Sequence, residues 1–389
     1  MNENKQYKVA LVLYTQGLDY DDRIRKEILS IQGLFSNVKF KIFAITPKDN
    51  REEEGVTSYG VPYKQLYLKS RERYSSGSHI FAKSWDLYKT IKKETKSFDA
   101  IWCADPETFL CVLLLRGKPI VWDLHELPES FMKNPFKRVL FRLAVKKTDI
   151  MIHANEPRLK YLVSTGLIRD EFNQFVLRNY PQFDEIDSEY DETYKKFVDW
   201  LGDSKCVYLQ GLMAEIRADV ESIEAVMSCP GLKAVIIGNI PEKRRAIIED
   251  RIGKDVLKER CFFTGQIKQL KTPQYIKKCK FSLIFYKNVK PNNWYCEPNR
   301  LFQNLINGNP VVVGENPPMK EIVENYGVGV CAKTDGSDVK EISKAILSLM
   351  ENYDSIQAKV LENKKNWLWE SQESIICEIV KKWLKNLDL

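Results

Sequence analysis

Short, largely apolar runs recur in both halves of this chain, and helical patterns alternate with them. A strand that is apolar on both sides must be covered on both sides, as in a parallel sheet flanked by helices. The clearest runs are 7–14, 40–46, 100–103, 120–124, 150–154, 206–210, 232–238, 262–265, 281–285 and 310–313. This alternation predicts an α/β protein with two doubly wound, Rossmann-like sheets.

Length and linker composition indicate two domains. The 389 residues are enough for two substantial cores. Residues 178–181 (RNYP) are followed by an acidic stretch that is poor in core residues, QFDEIDSEYDE. Such a stretch is suited to a hinge. We therefore expect one domain over 1–180, a linker over 181–204 and a second domain over 205–365.

Composition excludes several classes of protein. Nine cysteines without paired spacing and three histidines argue against a disulfide scaffold or a zinc site, and favour a reduced cytoplasmic compartment. The first apolar run is broken after Tyr14, so no signal peptide is expected. No window reaches the roughly 18 apolar residues that span a bilayer. The net charge of +7 suits an anionic partner such as a phosphorylated ligand or a membrane surface.

The segment 297–315 (EPNRLFQNLINGNPVVVGE) predicts a helix followed by a buried strand. Pro298 is tolerated at a helix start, and Gly308 suits a left-handed cap at its end. The first turns carry the polar side chains Asn299, Arg300 and Gln303. Free N–H groups, the helix dipole and a fixed cation would together hold an anion there.

Polar residues follow several of the predicted strands, where ligands bind in open parallel sheets. In the first half, His125 follows a strand within the segment Asp-Leu-His-Glu, and Gly17 lies in the turn after the first strand. His125 is a candidate site residue, and the alternative is a loop histidine bonded to a backbone carbonyl. Gly17 is a candidate phosphate or sugar contact, and the alternative is simple turn chemistry.

Three loops of the second half follow the same pattern. Gly211 opens the loop after one strand, and Asn239 and Gly265 end two others. Arg217 stands at the start of a predicted helix, where the dipole repels a cation unless an anion offsets it. Arg217 is therefore a candidate anion ligand.

The order of these motifs resembles GT-B glycosyltransferases, in particular family 4. The resemblance rests on Pro-Asn-Arg-Leu-Phe at 298–302, Gly-Val-Gly-Val at 327–330 and the Asp-Leu-His-Glu segment. Residues 22–27 (DRIRKE) also resemble the D-x-R-V-x-x-E segment of that family. The resemblance implies a GT-B fold, with two Rossmann-like domains facing a central cleft. It also implies that residues 366–389 form a helix that packs back on the first domain.

The resemblance further implies roles for individual residues. Arg217 and Arg300 would hold the diphosphate of the donor, and Gln303 would hold its ribose. Leu212 stands where the family has another arginine, and Tyr295 where it has a further glutamate. The remaining implied contacts with the donor are Gly17, Gly211, Asn239, Gly265, Glu297 and Asn299. His125 would contact the sugar, so the implied catalytic residues are His125, Arg217 and Arg300.

The implied activity is transfer of a sugar from a nucleoside diphosphate, UDP or GDP, to a hydroxyl of a glycan or lipid-linked acceptor. Residues 1–180 would form the acceptor side and 205–365 the nucleotide-sugar side. Family 4 implies retention of configuration, no metal and no cofactor beyond the donor, in bacterial surface polysaccharide synthesis. Two alternatives stay open: a GT-B-fold nucleotide-sugar epimerase, and a catalytically weak nucleotide-sugar-binding protein.

Two basic segments bear on partners. Residues 64–96 are basic and aromatic but contain no nucleic-acid-binding motif, so no nucleic acid is expected. Residues 133–147 (KNPFKRVLFRLAVKK) predict an amphipathic helix with a basic outer face. Such a helix could lie peripherally on the inner face of a membrane, or could be a plain crossover helix packed on the sheet.

Overall fold

The computed structural model describes residues 5–14, 18, 21–46, 51–75, 78–169, 173–182, 192–211 and 214–385. The chain forms two compact units. The first consists of Met1–Asn179 and Gln372–Leu389, and the second of Tyr180–Ser371. Each unit has a sheet of its own.

Eight strands in the described part of the first unit form one sheet, in the order β3-β4-β2-β1-β5-β6-β7-β8. All neighbours are parallel except β3 and β4. The strands are β1 (Tyr7–Val12), β2 (Val38–Ile45), β3 (Glu53–Val56), β4 (Pro62–Leu66), β5 (Ala100–Ala104), β6 (Ile120–Leu124), β7 (Ile150–His153) and β8 (Gln174–Val176). Every residue of β5 and β6 is buried, so both faces are covered, as the apolar runs predict.

The helices that connect these strands are α1 (Asp22–Leu34), α2 (Lys69–Arg73), α3 (Ile80–Glu94), α4 (Phe109–Leu114), α5 (Glu129–Met132), α6 (Pro135–Val145) and α7 (Glu156–Ser164). Local sequence explains several of their starts. The Asp21 carboxylate accepts a hydrogen bond from the Ile24 N–H at 3.3 Å and so caps α1. Asn134 and Asn155 cap α6 and α7 in the same way, each with proline in the first turn.

The second unit has a parallel sheet in the order β11-β10-β9-β12-β13-β14 among its described residues. Its strands are β9 (Lys205–Gln210), β10 (Leu232–Ile237), β11 (Cys261–Gly265), β12 (Phe281–Ile284), β13 (Val311–Val313) and β14 (Gly329–Cys331). Alternate residues of β9 enter different apolar clusters: Val207 and Leu209 lie in one, and Cys206 and Tyr208 in another. The sheet is therefore covered on both faces, which is the doubly wound arrangement.

The helices of this unit are α8 (Glu192–Leu201), α9 (Asp219–Ser228), α10 (Glu242–Ile252), α11 (Lys254–Arg260), α12 (Thr272–Lys278), α13 (Pro291–Trp294), α14 (Asn299–Ile306), α15 (Pro317–Tyr326), α16 (Val339–Glu351) and α17 (Tyr353–Asn363). Gly308 follows α14 with a φ of +82°, in agreement with its predicted role as a left-handed cap. Strand β13 then lies between two other strands with all its residues buried, as its wholly apolar sequence predicts.

The stretch predicted as a linker contains helix α8. Tyr194, Phe197 and Leu201 are buried at helical spacing, and the Phe197 ring lies 5.2 Å from that of Tyr275. The acidic composition of the stretch indicated a linker, so the apolar face of this helix was not predicted. The part of the predicted linker over 183–191 lies outside the described residues.

The last helix, α18 (Glu373–Lys385), belongs to the first unit. Trp383 is fully buried there and meets Trp102 of β5 edge to face, with ring centroids 5.6 Å apart. The Gln372 side chain accepts a hydrogen bond from the Arg178 N–H (2.7 Å) and donates one to the Arg178 carbonyl (2.8 Å). The chain passes between units at 371–372 rather than at 366, because Trp367 and Trp369 are buried in the second unit.

Both sheets have one point where the strand order reverses. In the first unit it lies between β1 and β5, and in the second between β9 and β12. Ligands of doubly wound proteins bind at the carboxyl ends of the strands beside such a point. No described helix is both long enough and apolar enough to cross a membrane.

Candidate functional site

Two guanidinium groups meet at the carboxyl end of β9, beside the reversal point of the second sheet. Arg300, in the first turn of α14, donates from Nη1 to the carbonyl of Gln210. A Cβ added to Gly211 would collide with Arg217 Nη1 and stand 3.0 Å from Arg300 Nη1. The two cations therefore converge on a residue without a side chain, whose φ of +119° itself favours glycine. The structure thus brings three of the predicted site residues together.

The Tyr286 ring lies against both guanidiniums. The ring centroid is 5.7 Å from the Arg217 Cζ and 5.2 Å from the Arg300 Cζ, which is cation–π distance. Burial raises the pKa of Tyr286, although Arg300 opposes the shift, so the phenol is neutral. Tyr286 was not predicted from the sequence as part of the site. Its position directly after the buried run 281–285 was the available signal.

One hydrogen-bond donor of this arginine pair is buried without a partner among the described residues. Asp219 lines the same small cavity as the two arginines, but its carboxylate pairs with Arg244, whose Nε lies 3.1 Å away. Burial lowers the pKa of Arg300, and the charge of Arg217 lowers it further. The Arg300 Nε is buried without a hydrogen-bond partner in the described part of the chain. A bound anion would satisfy this donor and relieve the repulsion.

The backbone beside Arg217 is strained. Ala218 has a φ of +50°, which is unfavourable for a residue with a Cβ. Its side chain is fully buried against Gly336, where any Cβ would collide with it. Strained residues persist where the surrounding packing holds them, and they cluster at functional sites. Here the strained Ala218 fixes the backbone between Arg217 and the start of α9.

The loops after β10 and β11 adjoin the same place. The Gly211 N–H donates to the Ile237 carbonyl, and the Gly238 N–H donates to the Gly265 carbonyl, both at 2.9 Å. Gly238 has no room for a Cβ, which would collide with the Gly211 carbonyl oxygen. Asn239 Nδ2 lies 3.3 Å from the side-chain oxygen of Gln266. Asn239 and Gly265 therefore lie in loops beside Gly211.

The other predicted residues of this unit lie at the start of α14. Pro298 occupies the N-cap position rather than the first helical position, and no side chain caps the helix. Glu297 and Asn299 flank Pro298, and Asn299 is exposed. Gln303 follows Arg300 by about one turn, which places both on one side of the helix. Gly17 and Leu212 lie outside the described residues.

His125 of the first unit is held between two carboxylates at the ends of β5 and β6. Its Nε2 lies 2.8 Å from Asp123 Oδ2, and its Nδ1 lies 3.6 Å from Asp105 Oδ1. Arg158 donates to the backbone carbonyl of His125. The sequence also allowed a loop histidine whose ring is bonded to a backbone carbonyl. In the structure the ring is paired with the Asp123 carboxylate instead.

A buried arginine supports this arrangement from α1. The Arg23 guanidinium donates to both carboxylate oxygens of Asp123, at 3.0 and 2.8 Å, and to the Leu177 carbonyl at 2.7 Å. Arg23 Nε also lies 3.0 Å from the Glu27 carboxylate. Neither Arg23 nor Glu27 was predicted from the sequence as a site residue, although both lie in the segment 22–27 that resembles family 4. Two charged residues four apart on a helix with buried isoleucines were the signal.

Ionisation in this cluster follows from burial and pairing. Burial opposes the charge of His125, but Asp123 and Asp105 outweigh it and raise the pKa of His125 to about 10. Arg23 and His125 likewise overcome burial and hold the pKa of Asp123 below its usual range. Burial, reinforced by Asp123, raises the pKa of Glu27 well above its usual value. At neutral pH His125 is therefore an imidazolium, a hydrogen-bond donor rather than a base.

The same cluster has metal-like spacing. One ligand atom from each of Glu27, Asp123 and His125 lies within 4.8 Å of the others. The Arg23 guanidinium, however, already pairs with both carboxylates. A divalent cation would have to displace that guanidinium and the imidazolium charge. The donor set therefore favours an internal ion-pair network over a metal site.

Asp105 carries the second strained backbone near a predicted residue. Its φ of 68° and ψ of 158° fall in a region that is essentially restricted to glycine. Its N–H donates to the Asp123 carbonyl at 2.8 Å, and its own carbonyl accepts from Thr108 Oγ1 at 2.8 Å. Burial raises the pKa of Asp105 to about 6 and that of Glu107 to about 7. The end of β5 thus places the Asp105 carboxyl group beside His125.

Comparison with solved structures identifies the fold. The chain is similar to Anabaena HepE in complex with UDP and glucose, with a TM-score of 0.71 and 14% identity over 97% of this chain and 100% of that one. It is also similar to sucrose-phosphate synthase from Thermosynechococcus elongatus, with a TM-score of 0.74 and 13% identity over 98% and 100% of the two chains.

A third structure is the α,α-trehalose-phosphate synthase (UDP-forming) from Burkholderia vietnamiensis, with a TM-score of 0.72 and 11% identity over 97% and 100% of the chains. The sequence matches no protein-family model and no curated protein. At these identities the likeness establishes the fold alone. With its two doubly wound parallel sheets, this chain has the GT-B fold.

Proposed function

We propose that this protein is a glycosyltransferase that moves a hexosyl or related sugar from a nucleoside diphosphate to a hydroxyl of a glycan or lipid-linked acceptor. The observation that carries the proposal is the convergence of Arg217 and Arg300 on Gly211. This pair lies at the reversal point of a sheet with the GT-B fold, where an anionic ligand is expected.

The pair suits the charge that develops during such a transfer. The bond between the anomeric carbon and a diphosphate oxygen breaks, the acceptor oxygen bonds to that carbon, and its hydroxyl proton is released. Negative charge grows on the departing diphosphate. Guanidinium groups that already point at this position stabilise it by bidentate hydrogen bonds without reorganisation. Two fixed cations supply the charge stabilisation that a metal ion supplies in other transferases. We therefore propose a metal-independent reaction.

The remaining assignments support donor binding. Gln303 is assigned to the ribose hydroxyls, because it follows Arg300 on the same side of α14. Asn239 and Gly265 are assigned to the nucleotide, because their loops adjoin Gly211. Glu297 and Asn299 at the uncapped start of α14 are assigned to the sugar or phosphate edge. In the first unit, the imidazolium of His125 is assigned to donate a hydrogen bond to a sugar hydroxyl.

We propose UDP as the nucleotide, since HepE is similar to this chain and its solved complexes contain UDP or UDP-glucose. Retention of configuration and a role in bacterial surface polysaccharide synthesis are proposed from the resemblance to family 4.

The test is ligand-dependent thermal stability, measured with UDP, GDP, ADP, CMP and their sugar conjugates. A ligand at about a hundred times its dissociation constant stabilises a protein by about 2.7 kcal/mol, and each kcal/mol shifts Tm by roughly 2–4 °C. We expect UDP and one UDP-sugar to respond. Arg217→Ala should abolish most of the shift and lower transfer at least 10²-fold, as loss of one such donor does.

Arg251→Ala is the matched control, since Arg251 is a partly exposed arginine of the same unit that pairs with Glu224. Its shift should equal that of the wild type. Absence of a response to every nucleotide would refute the proposal. Binding without turnover on any acceptor would indicate a nucleotide-sugar-binding protein, and a new sugar isomer formed from donor alone would indicate an epimerase.

A further inference from the structure

Helix α6 carries an exposed apolar ridge. The side chains of Phe136, Val139 and Leu143 are 68%, 52% and 43% exposed. Their spacing of three and four residues places them along one side of the helix. The other side packs into the first unit through the fully buried Phe141 and Ala144. The helix is therefore a crossover helix on its inner side and carries an exposed apolar ridge on its outer side.

Positive charge surrounds the ridge. No acidic residue occurs between 130 and 148, although the chain as a whole carries 53 acidic residues. The basic side chains of this stretch are Lys133, Lys137, Arg138, Arg142, Lys146 and Lys147. Lys133, Lys146 and Lys147 are exposed. An apolar ridge bordered by lysines complements a surface that is negatively charged on its outside and apolar beneath.

A groove runs beside the ridge. Its volume is about 510 Å³, and it lies between α6 and the loop 166–169. Arg142 Nε donates to the Gly166 carbonyl at 2.8 Å, and Arg138 donates to the Thr165 carbonyl, so two arginines of α6 hold the loop in place. The lining combines Val139 and Leu143 with the basic ends of other side chains. This mixture fits a lipid headgroup with the first part of its acyl chain.

We infer that α6 and the loop 166–169 form the surface by which this protein docks on an anionic lipid bilayer. The ridge enters the boundary between headgroups and acyl chains, and the lysines contact lipid phosphates. A second copy of the chain is a poorer occupant, since it would bring a second set of basic side chains against the first. Nucleic acid would use the charge but leave the ridge exposed.

The inference stands on this surface alone and goes beyond the proposed transfer reaction. If both hold, the acceptor is brought to the enzyme by the membrane, which favours a lipid-linked acceptor. The two can fail separately, because vesicle binding and nucleotide binding are measured independently on the same protein.

The test is co-sedimentation of the full chain with vesicles of phosphatidylcholine, with and without phosphatidylglycerol. We expect binding to the anionic vesicles that weakens as salt is raised. The double variant Lys146→Glu/Lys147→Glu should lower the partition coefficient by about thirty-fold or more, since each basic residue contributes roughly five-fold. Phe136→Ser should weaken binding to the same vesicles at both low and high salt.

Matched controls exist in the second unit. Lys364 and Lys365 are neighbouring exposed lysines, and Leu347 is 50% exposed. Lys364→Glu/Lys365→Glu and Leu347→Ser should leave vesicle binding unchanged, and all variants should keep the wild-type Tm and nucleotide response. The inference is overturned if the wild type binds neither vesicle, or if the controls weaken binding as much. A homodimer in light scattering that Phe136→Ser dissolves, or capture of an acidic protein without vesicle binding, would overturn it too.

Discussion

His153 is buried and His125 is half-buried in the first unit, and their neighbours drive their pKa values in opposite directions. His153 pairs with the neutral Gln174 side chain at 2.9 Å, and burial lowers the pKa of His153 to about 4. His125 meets two carboxylates, which raise its pKa to about 10 against the effect of burial. One histidine is thus kept neutral and the other charged, because pairing outweighs desolvation only where a carboxylate is present.

Each shift has a consequence for stability. The pKa of His125 is raised, so its contribution is fully present below about 6.5 and is lost as pH rises from there toward 10. The pKa of His153 is lowered, so its contribution is present above about 6.5 and is lost as pH falls toward 4. The two pH windows meet near 6.5, and at that pH both contributions to the stability of the folded state are present.

NMR titration of the imidazole protons tests these assignments directly, since the chain has only three histidines. We expect His125 to remain protonated at pH 8 and His153 to remain neutral at pH 6, while folding is intact. His125→Gln and His153→Gln assign the signals. A His125 signal that titrates near its ordinary pKa of about 6.5 would contradict the buried network of Arg23 and Asp123.

Residue patterns predicted two of these residues as candidates for the site. His125 was predicted from its place after an apolar run, and Arg300 from its place at a helix start, and their roles stay predictions. The partnership of Arg23 with Asp123 was not recognisable, because the two residues are 100 positions apart and no local pattern pairs them. Only the packing of α1 beside β6 makes them a buried pair.

At the scale of elements, the candidate site depends on a glycine, Gly211, that directly follows strand β9. Gly211 separates the two guanidiniums from β10 and leaves them room to converge. Substitution with alanine adds a Cβ that would collide with Arg217 Nη1. The guanidiniums of Arg217 and Arg300 would then have to move away from the end of β9.

We expect Gly211→Ala to lower nucleotide affinity by about ten-fold to a hundred-fold, the range for loss of a hydrogen bond to a charged group. Gly231→Ala is the control, because Gly231 also has a positive φ, +74°, but nothing lies within 4 Å of its added Cβ. Both variants should lose roughly 1–2 kcal/mol of stability from backbone strain. Isothermal titration that finds equal affinities for the two variants would remove Gly211 from the site.

Elements differ in how well sequence predicts them. The largely apolar runs marked the central strands correctly, because a strand covered on both faces has few positions for a polar side chain. Helix α8 was missed, since the acidic sequence around it resembles a linker. Its apolar side chains are buried only because they pack against residues such as Tyr275, which lie far away in the sequence. The start of α14 was placed within one residue, which is the ordinary uncertainty of helix ends.

At the scale of the whole molecule, the chain crosses between units twice, and the last crossing returns α18 to the first unit. Trp383 then completes the core of that unit against Trp102. Removal of so large a buried side chain typically costs 3–5 kcal/mol. The cost should fall on the first unit, because α18 belongs to it and contributes its core there.

Trp383→Ala should therefore raise hydrogen exchange of amides in the first unit, while exchange in the second unit and its nucleotide response stay unchanged. Trp85→Ala is the control in the same unit, because Trp85 is 45% exposed on α3 and its removal should change stability by about 0.5 kcal/mol or less. Equal acceleration of exchange in both units would show that they do not unfold as separate bodies.

Local sequence by itself determined most strands of this protein, the turns that end them and the polar residues that follow them, but it did not indicate β3, β4, β8 or β14. Those properties depend on the period of apolar residues and on the few conformations open to glycine and proline. Tertiary structure alone decided which strand ends are neighbours, and therefore that Arg217, Arg300 and Tyr286 share one place and Arg23, Asp123 and His125 another. Strand order is settled by packing between residues far apart in the chain, and no local pattern encodes it.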